Sequence, residues 1–99
     1  MTIQAVNNVA FKGLIRVNNA DRDVSTTLET DKILDIATRN YDRKTTLITY
    51  DYPQIVKHNG YQWEEPLVMP VKHDMDTILK AYSAAKNSNL CVDLREYND

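Results

Sequence analysis

The chain has 99 residues, with 12 basic and 14 acidic side chains, a net charge of −2 and 42% hydrophobic residues. That length makes one domain, burying roughly 60–65% of its unfolded surface, so a single core without covalent staples is expected. The nearly balanced charge gives neither a nucleic-acid backbone nor an anionic membrane an electrostatic hold, and is too mild for a mimic of DNA.

Cys91 is the single cysteine, which rules out an internal disulfide and points to a reducing compartment. The opening MTIQAVNNVAFKG lacks the basic start and apolar run of a signal peptide. No segment approaches the roughly 18 apolar residues of a membrane span. A cytoplasmic protein is therefore expected. No repeat, linker or low-complexity tract divides residues 1–99, and the polar stretches 1–8 and 96–99 are expected to fray.

The first element is a strand from Val9 to Val17. Val9, Phe11, Ile15 and Val17 alternate onto one face and Lys12 and Arg16 onto the other. Asn18-Asn19-Ala20-Asp21 supplies a turn. The next stretch, Val24 to Arg39, reads two ways. Thr26 and Glu29 resemble a capping box, and Ile33, Leu34, Ala37 and Tyr41 share a helical face. However, Val24, Thr26, Thr27, Thr30, Ile33, Ile36 and Thr38 are β-branched and favour extended backbone. One or two strands are expected.

Asn59-Gly60 then marks a hairpin with a two-residue type I′ turn. Centred there, one face carries Ile48, Tyr50, Tyr52, Gln54, Val56 and His58 opposite Val71, Met69, Leu67, Glu65, Trp63 and Tyr61. A slip of one residue would scramble this mostly apolar face, so the pattern sets the register. Pro53 faces Pro66 and Thr49 faces Pro70, all at positions that donate nothing across the hairpin. At the proline pair neither strand can donate outward either. Residues 54–65 are thus expected to project as an arm with free edges.

Asp74 to Asn87 reads as a helix. Met75, Ile78, Leu79 and Tyr82 make the apolar face, three alanines raise propensity, and Asp74 is the N-cap. Leu90 to Leu94 is a last, mostly buried strand. The expected fold is α+β: an antiparallel sheet of four to five strands, the C-terminal helix packed on it, and a protruding β-hairpin. The alternative, should residues 28–40 be helical, is the ferredoxin-like order βαββαβ.

Chemistry-bearing residues are sparse. Asp74-Met75-Asp76 beside His73 suggests metal ligation, but helix capping explains both aspartates unaided. His58, His73, Glu64 and Glu65 follow no zinc spacing, and the two histidines should not meet. Cys91, between Leu90 and Val92, suits a small buried hydrophobe better than a nucleophile. With two glycines there is neither a nucleophile elbow nor a phosphate loop. No catalytic constellation, metal site or cofactor is implied.

The expected function is a non-enzymatic protein-binding module: a small regulator, inhibitor or assembly subunit. Its contact residues would be Val56, Lys57, His58, Tyr61 and Trp63 on the arm, and its partner another protein or a second copy in a homodimer. The alternative is a binder of single-stranded nucleic acid or a nucleotide. It would use the aromatic face with Lys12, Arg16, Arg39, Arg43, Lys44 and Lys57.

Overall fold

The computed structural model describes residues 2–5, 13–88 and 90–95. Among them the chain runs β1 (Thr2–Ala5), β2 (Leu14–Asn18), β3 (Ser25–Glu29), a short 3-10 turn (Thr30–Lys32), β4 (Ile33–Arg39), β5 (Asp42–His58), β6 (Tyr61–Val71), α1 (Met75–Ser88) and β7 (Leu90–Asp93). The result is a small α+β fold, but not the expected single sheet of four to five strands. The described strands divide into a four-stranded sheet, β1-β7-β2-β3, and a three-stranded sheet, β4-β5-β6. All pairings are antiparallel except that of β2 with β7.

The ferredoxin-like alternative fails at residues 28–40, which are extended apart from the 3-10 turn. Their β-branched content prevails over the capping box, and the turn lets the chain pass from one sheet to the other. Thr30 anchors that passage from a buried position. Its N–H and its hydroxyl both donate to the Gly13 carbonyl, at 3.1 and 3.4 Å. Glu29 N–H donates to the Tyr50 hydroxyl at 3.0 Å, joining the two sheets at this corner.

In the first sheet, β2 alternates as read: Ile15 and Val17 are buried and Arg16 is half-buried on the other face. Val9, Phe11 and Lys12, expected to begin this strand, lie outside the described residues. Thr2–Ala5 pairs with Leu90–Asp93. With β2 on one side of β7, that pairing satisfies the polar backbone groups on its other side. Cys91, Val92 and Leu94 are buried, as expected of the last strand.

Helix α1 begins where the sequence indicates, and Met75, Ile78 and Tyr82 turn inward as expected, but Ala81 and Ala85 take the place of Leu79 in the buried face. Ile78, Ala81 and Ala85 are fully buried, Met75 and Tyr82 partly so, and Leu79 is exposed. The alanines let the helix axis come close to its neighbours, and the larger side chains flank the contact. Gly13 marks the closest approach. At φ +151° it lies so near α1 that a Cβ there would fall 2.4 Å from the Ala85 carbonyl oxygen. The helix packs on β2, β4, β5 and β7. Ile15, Val17, Leu28 and Val92 of one sheet thereby share a core with Ile48, Met69 and Val71 of the other.

A seam also joins the sheets directly. Asn19 bridges Val71, Ala20 N–H donates to the Pro70 carbonyl at 2.9 Å, and Lys72 N–H donates to the Asn18 carbonyl at 2.8 Å. His73 secures this seam from inside the core, fully buried. Its Nε2 accepts the Asn18 N–H at 3.2 Å, and its carbonyl accepts the Thr46 hydroxyl at 2.7 Å.

The hairpin has the expected turn, with φ +50° at Asn59 and +82° at Gly60. From His58↔Tyr61 to Pro53↔Pro66 the register is the one read from the sequence. Beyond the prolines it shifts. Asp51 and Tyr52 have no partners on β6, and pairing resumes as Tyr50↔Leu67, Ile48↔Met69 and Thr46↔Val71. Tyr50 facing Met69, Ile48 facing Val71 and Thr49 facing Pro70 are therefore corrected by two residues. The ladder is weakest where two prolines face each other, so a bulge costs least there. A shift of two preserves the faces: Ile48, Met69 and Val71 still point into the core.

Candidate interaction site on the hairpin arm

β4 pairs with β5 only from Asp42 to Tyr50, so β5 and β6 continue past it as a two-stranded arm. Among the described residues no other strand pairs with the arm. Side chains there are exposed, apart from Gln54 and Val56, which are half-buried. Tyr61 is 75% exposed and Trp63 41%.

The structure places Val56 directly across from Trp63 and His58 across from Tyr61, so these four share one face. Lys57 pairs with Gln62 and points to the opposite face, so the five expected contact residues are split four to one. The indole Nε1 donates to Glu65 Oε1 at 2.7 Å, which holds the ring over its own strand.

Other residues singled out in the sequence serve the fold. Asp74 Oδ1 accepts Thr77 N–H at 2.8 Å, and this bond, reinforced by the Thr77 hydroxyl, holds the Asp74 carboxyl below its ordinary pKa. Asp74 is therefore an N-cap. His73 sits in the core seam and His58 at the hairpin turn, so the two histidines do not meet. Among the described residues no group of three or more His, Cys, Asp and Glu side chains is placed to hold a metal ion. Cys91 is buried as a free thiol.

The basic side chains are scattered. Arg39 makes a two-pronged ion pair with Asp21, its shorter contact 3.1 Å, and stacks on Tyr41 at 5.2 Å. Arg16 stands opposite Asp93. Arg43 and Lys44 are exposed near the start of β5, whereas Lys57 alone lies on the arm with the aromatics. Lys12 is outside the described residues.

A cleft of about 600 Å³ opens beside the helix start, between Thr38, Arg39, Asn40, Arg43 and residues 74–76 with Leu79. Two of its charges are already engaged, Arg39 by Asp21 and Asp74 in the cap. A smaller notch of about 270 Å³ lies at the base of the arm, lined by Leu34, Asp51, Pro53, Glu64, Glu65 and Pro66. The sequence reading missed this second place. Its signal was the bulge, which brings Asp51 beside Pro53, together with Leu34 facing away from the core.

No described helix is long and apolar enough to cross a membrane. Comparison with known proteins finds no match, whether among family models, curated proteins or solved structures.

Proposed function

We propose that the chain is a non-enzymatic protein-binding module, acting as a small regulator, inhibitor or assembly subunit through its hairpin arm. One observation supports this reading above the others. Leu34, Tyr52, Ile55, Tyr61, Trp63 and Val68, most of the exposed large apolar side chains among the described residues, lie on the arm or at its base. By strand alternation Tyr61 and Trp63 lie on one face of the arm and Ile55 and Val68 on the other, and exposed apolar surface of this kind marks interaction sites. Tyr and Trp are also the residue types that dominate binding energy at protein interfaces. The turn and register fix the arm's backbone in advance, so a partner binds it at little ordering cost.

The test is Trp63→Ala, measured for both binding and stability. Captured partner, or self-association seen by light scattering, should be lost at a cost of about 2 kcal/mol or more. Stability should fall by much less than the roughly 3–5 kcal/mol of a truncated core tryptophan. A collapse in stability would make Trp63 a folding residue and remove the arm from function. Salt-dependent retention on a polyanion column would instead favour the nucleic-acid alternative, for which the scattered cations give less support.

A further inference from the structure

The base of the arm combines three features that select one kind of partner. The first is apolar ground. Leu34, Pro53 and Pro66 lie in the notch, and by strand alternation Ile55 and Val68 point to the same side as the two prolines. Leu34, Ile55 and Val68 are each more than half exposed.

The second is charge. Asp51, Glu64 and Glu65 border the notch, and among the described residues none of them has a basic side chain in salt-bridge reach. They do not converge as a metal-binding group: Glu64 points to the same side as Ile55 and the prolines, and Glu65 to the other, where it accepts the Trp63 indole N–H.

The third is backbone. Among the described residues β6 is the outer strand of its sheet and is covered only at its far end, where Asn19 and Ala20 meet Val71 and Pro70. The pair flanking a two-residue turn is hydrogen-bonded and alternate pairs after it are too. Gln62 and Glu64 therefore turn their N–H and C=O groups away from β5, whereas Pro66 offers only a carbonyl.

We infer that this edge receives an extended segment of another protein that carries both apolar residues and lysine or arginine on the one face turned toward Pro66 and Glu64. The segment adds beside β6 as a further strand, bonded at Gln62 and Glu64, with its basic side chains on the Glu64 and Asp51 side and its apolar ones beside Pro66 and Val68. This is strand addition, in which main-chain bonds give affinity and side chains give selectivity. A second copy fits less well. Its exposed β5 edge brings one cation, Lys57, to three carboxylates, and both copies carry net negative charge. Phosphate backbones would be repelled by the same three groups. The inference rests on the arm being a protein-binding surface.

The experiment uses the isotope-labelled full chain titrated with an acetylated, amidated peptide of Val-Thr-Lys-Thr repeats, which sets valine and lysine on one strand face. Its valine–glutamate counterpart is the control. With the lysine peptide the Gln62, Glu64 and Leu34 amides should shift, and added salt should weaken the effect. Glu64→Gln and Gln62→Pro should each weaken binding about tenfold, the first by removing charge and the second by removing an outward donor. Neither touches a hairpin hydrogen bond, so both should melt close to the wild type. Equal shifts with the glutamate peptide would overturn the inference. So would unchanged binding in both variants, or self-association through β6 in sedimentation. If Trp63→Ala abolishes capture of a native partner while Gln62→Pro and Glu64→Gln do not, the arm binds protein but not along this edge. If none of the three matters, the arm itself is the wrong surface.

Discussion

Replacing Gly13 with alanine tests the closest contact in the core. The new Cβ would lie 2.4 Å from the Ala85 carbonyl oxygen, 2.6 Å from its carbonyl carbon and 3.1 Å from its Cβ. Two of these atoms are helix backbone and cannot rotate aside. Relief requires either lifting α1 from β2 or turning Gly13 away from φ +151°. The second route moves the carbonyl that accepts the Thr30 N–H at 3.1 Å. Overpacking costs about 1–3 kcal/mol, and a sparsely populated backbone conformation costs a comparable amount. The stiffer unfolded chain returns about 0.4–1 kcal/mol. The net loss should be about 2–5 kcal/mol, a large part of a small domain's stability.

Gly60→Ala is the internal control. It also has positive φ, at +82°, but nothing lies within 4 Å of its added Cβ. Only the conformational cost of about 1–2 kcal/mol remains. Urea melts of the two variants and wild type, at one temperature, decide the matter. The reasoning is refuted if Gly13→Ala melts within about 0.5 kcal/mol of wild type, or if Gly60→Ala loses more than Gly13→Ala.

Asp74→Ala should cost about 1 kcal/mol by removing the helix cap, and chelator should leave the wild-type melting temperature unchanged. A chelator-induced drop would return Asp74 and Asp76 to metal chemistry. Acid should destabilise the fold through three depressed carboxyls: Asp42, held by the Thr45 hydroxyl and Lys44 N–H; Asp74, held by Thr77; and Asp93, held by Arg95. Each has its folded pKa below the ordinary 3.8, so the unfolded chain binds more protons. Their stabilisation is complete above that value and is lost as pH falls through the folded pKa. Urea midpoints taken from about pH 5 to about pH 2 should therefore fall steeply below pH 4, and less steeply when all three residues are asparagine.

Much of this fold was legible because its signals are local. Asn59-Gly60 set the turn, alternation set the faces of β2 and the arm, and Asp74 set the start of the helix. What failed depended on contacts distant in sequence. Nothing near Thr2–Ala5 shows that β7 will pair with it. The alanine face of α1 is decided by Gly13, more than sixty residues away. The corner where the chain passes between the two sheets is held by Thr30 meeting the Gly13 carbonyl and Tyr50 meeting Glu29, neither visible in a window of residues. At the candidate site, the projection of Tyr61 and Trp63 on an arm was legible from the facing prolines at its base. The notch was not, because it needs the bulge at Asp51 and Tyr52 to bring Leu34 beside two prolines.

That bulge also bears on how the protein can change over evolution. β5 already carries two residues that β6 does not match, and the arm beyond them keeps its orientation because side chains alternate with a period of two. Insertions and deletions at the arm's base are therefore filtered by parity. An even change lengthens or shortens the reach of Trp63 and leaves it on the same side. An odd change in one strand would set that strand's faces against its partner's, pairing Trp63 with the far side of β5. Related chains should accordingly show arms that differ in length by even steps in each strand, with the Asn-Gly turn carried along unchanged.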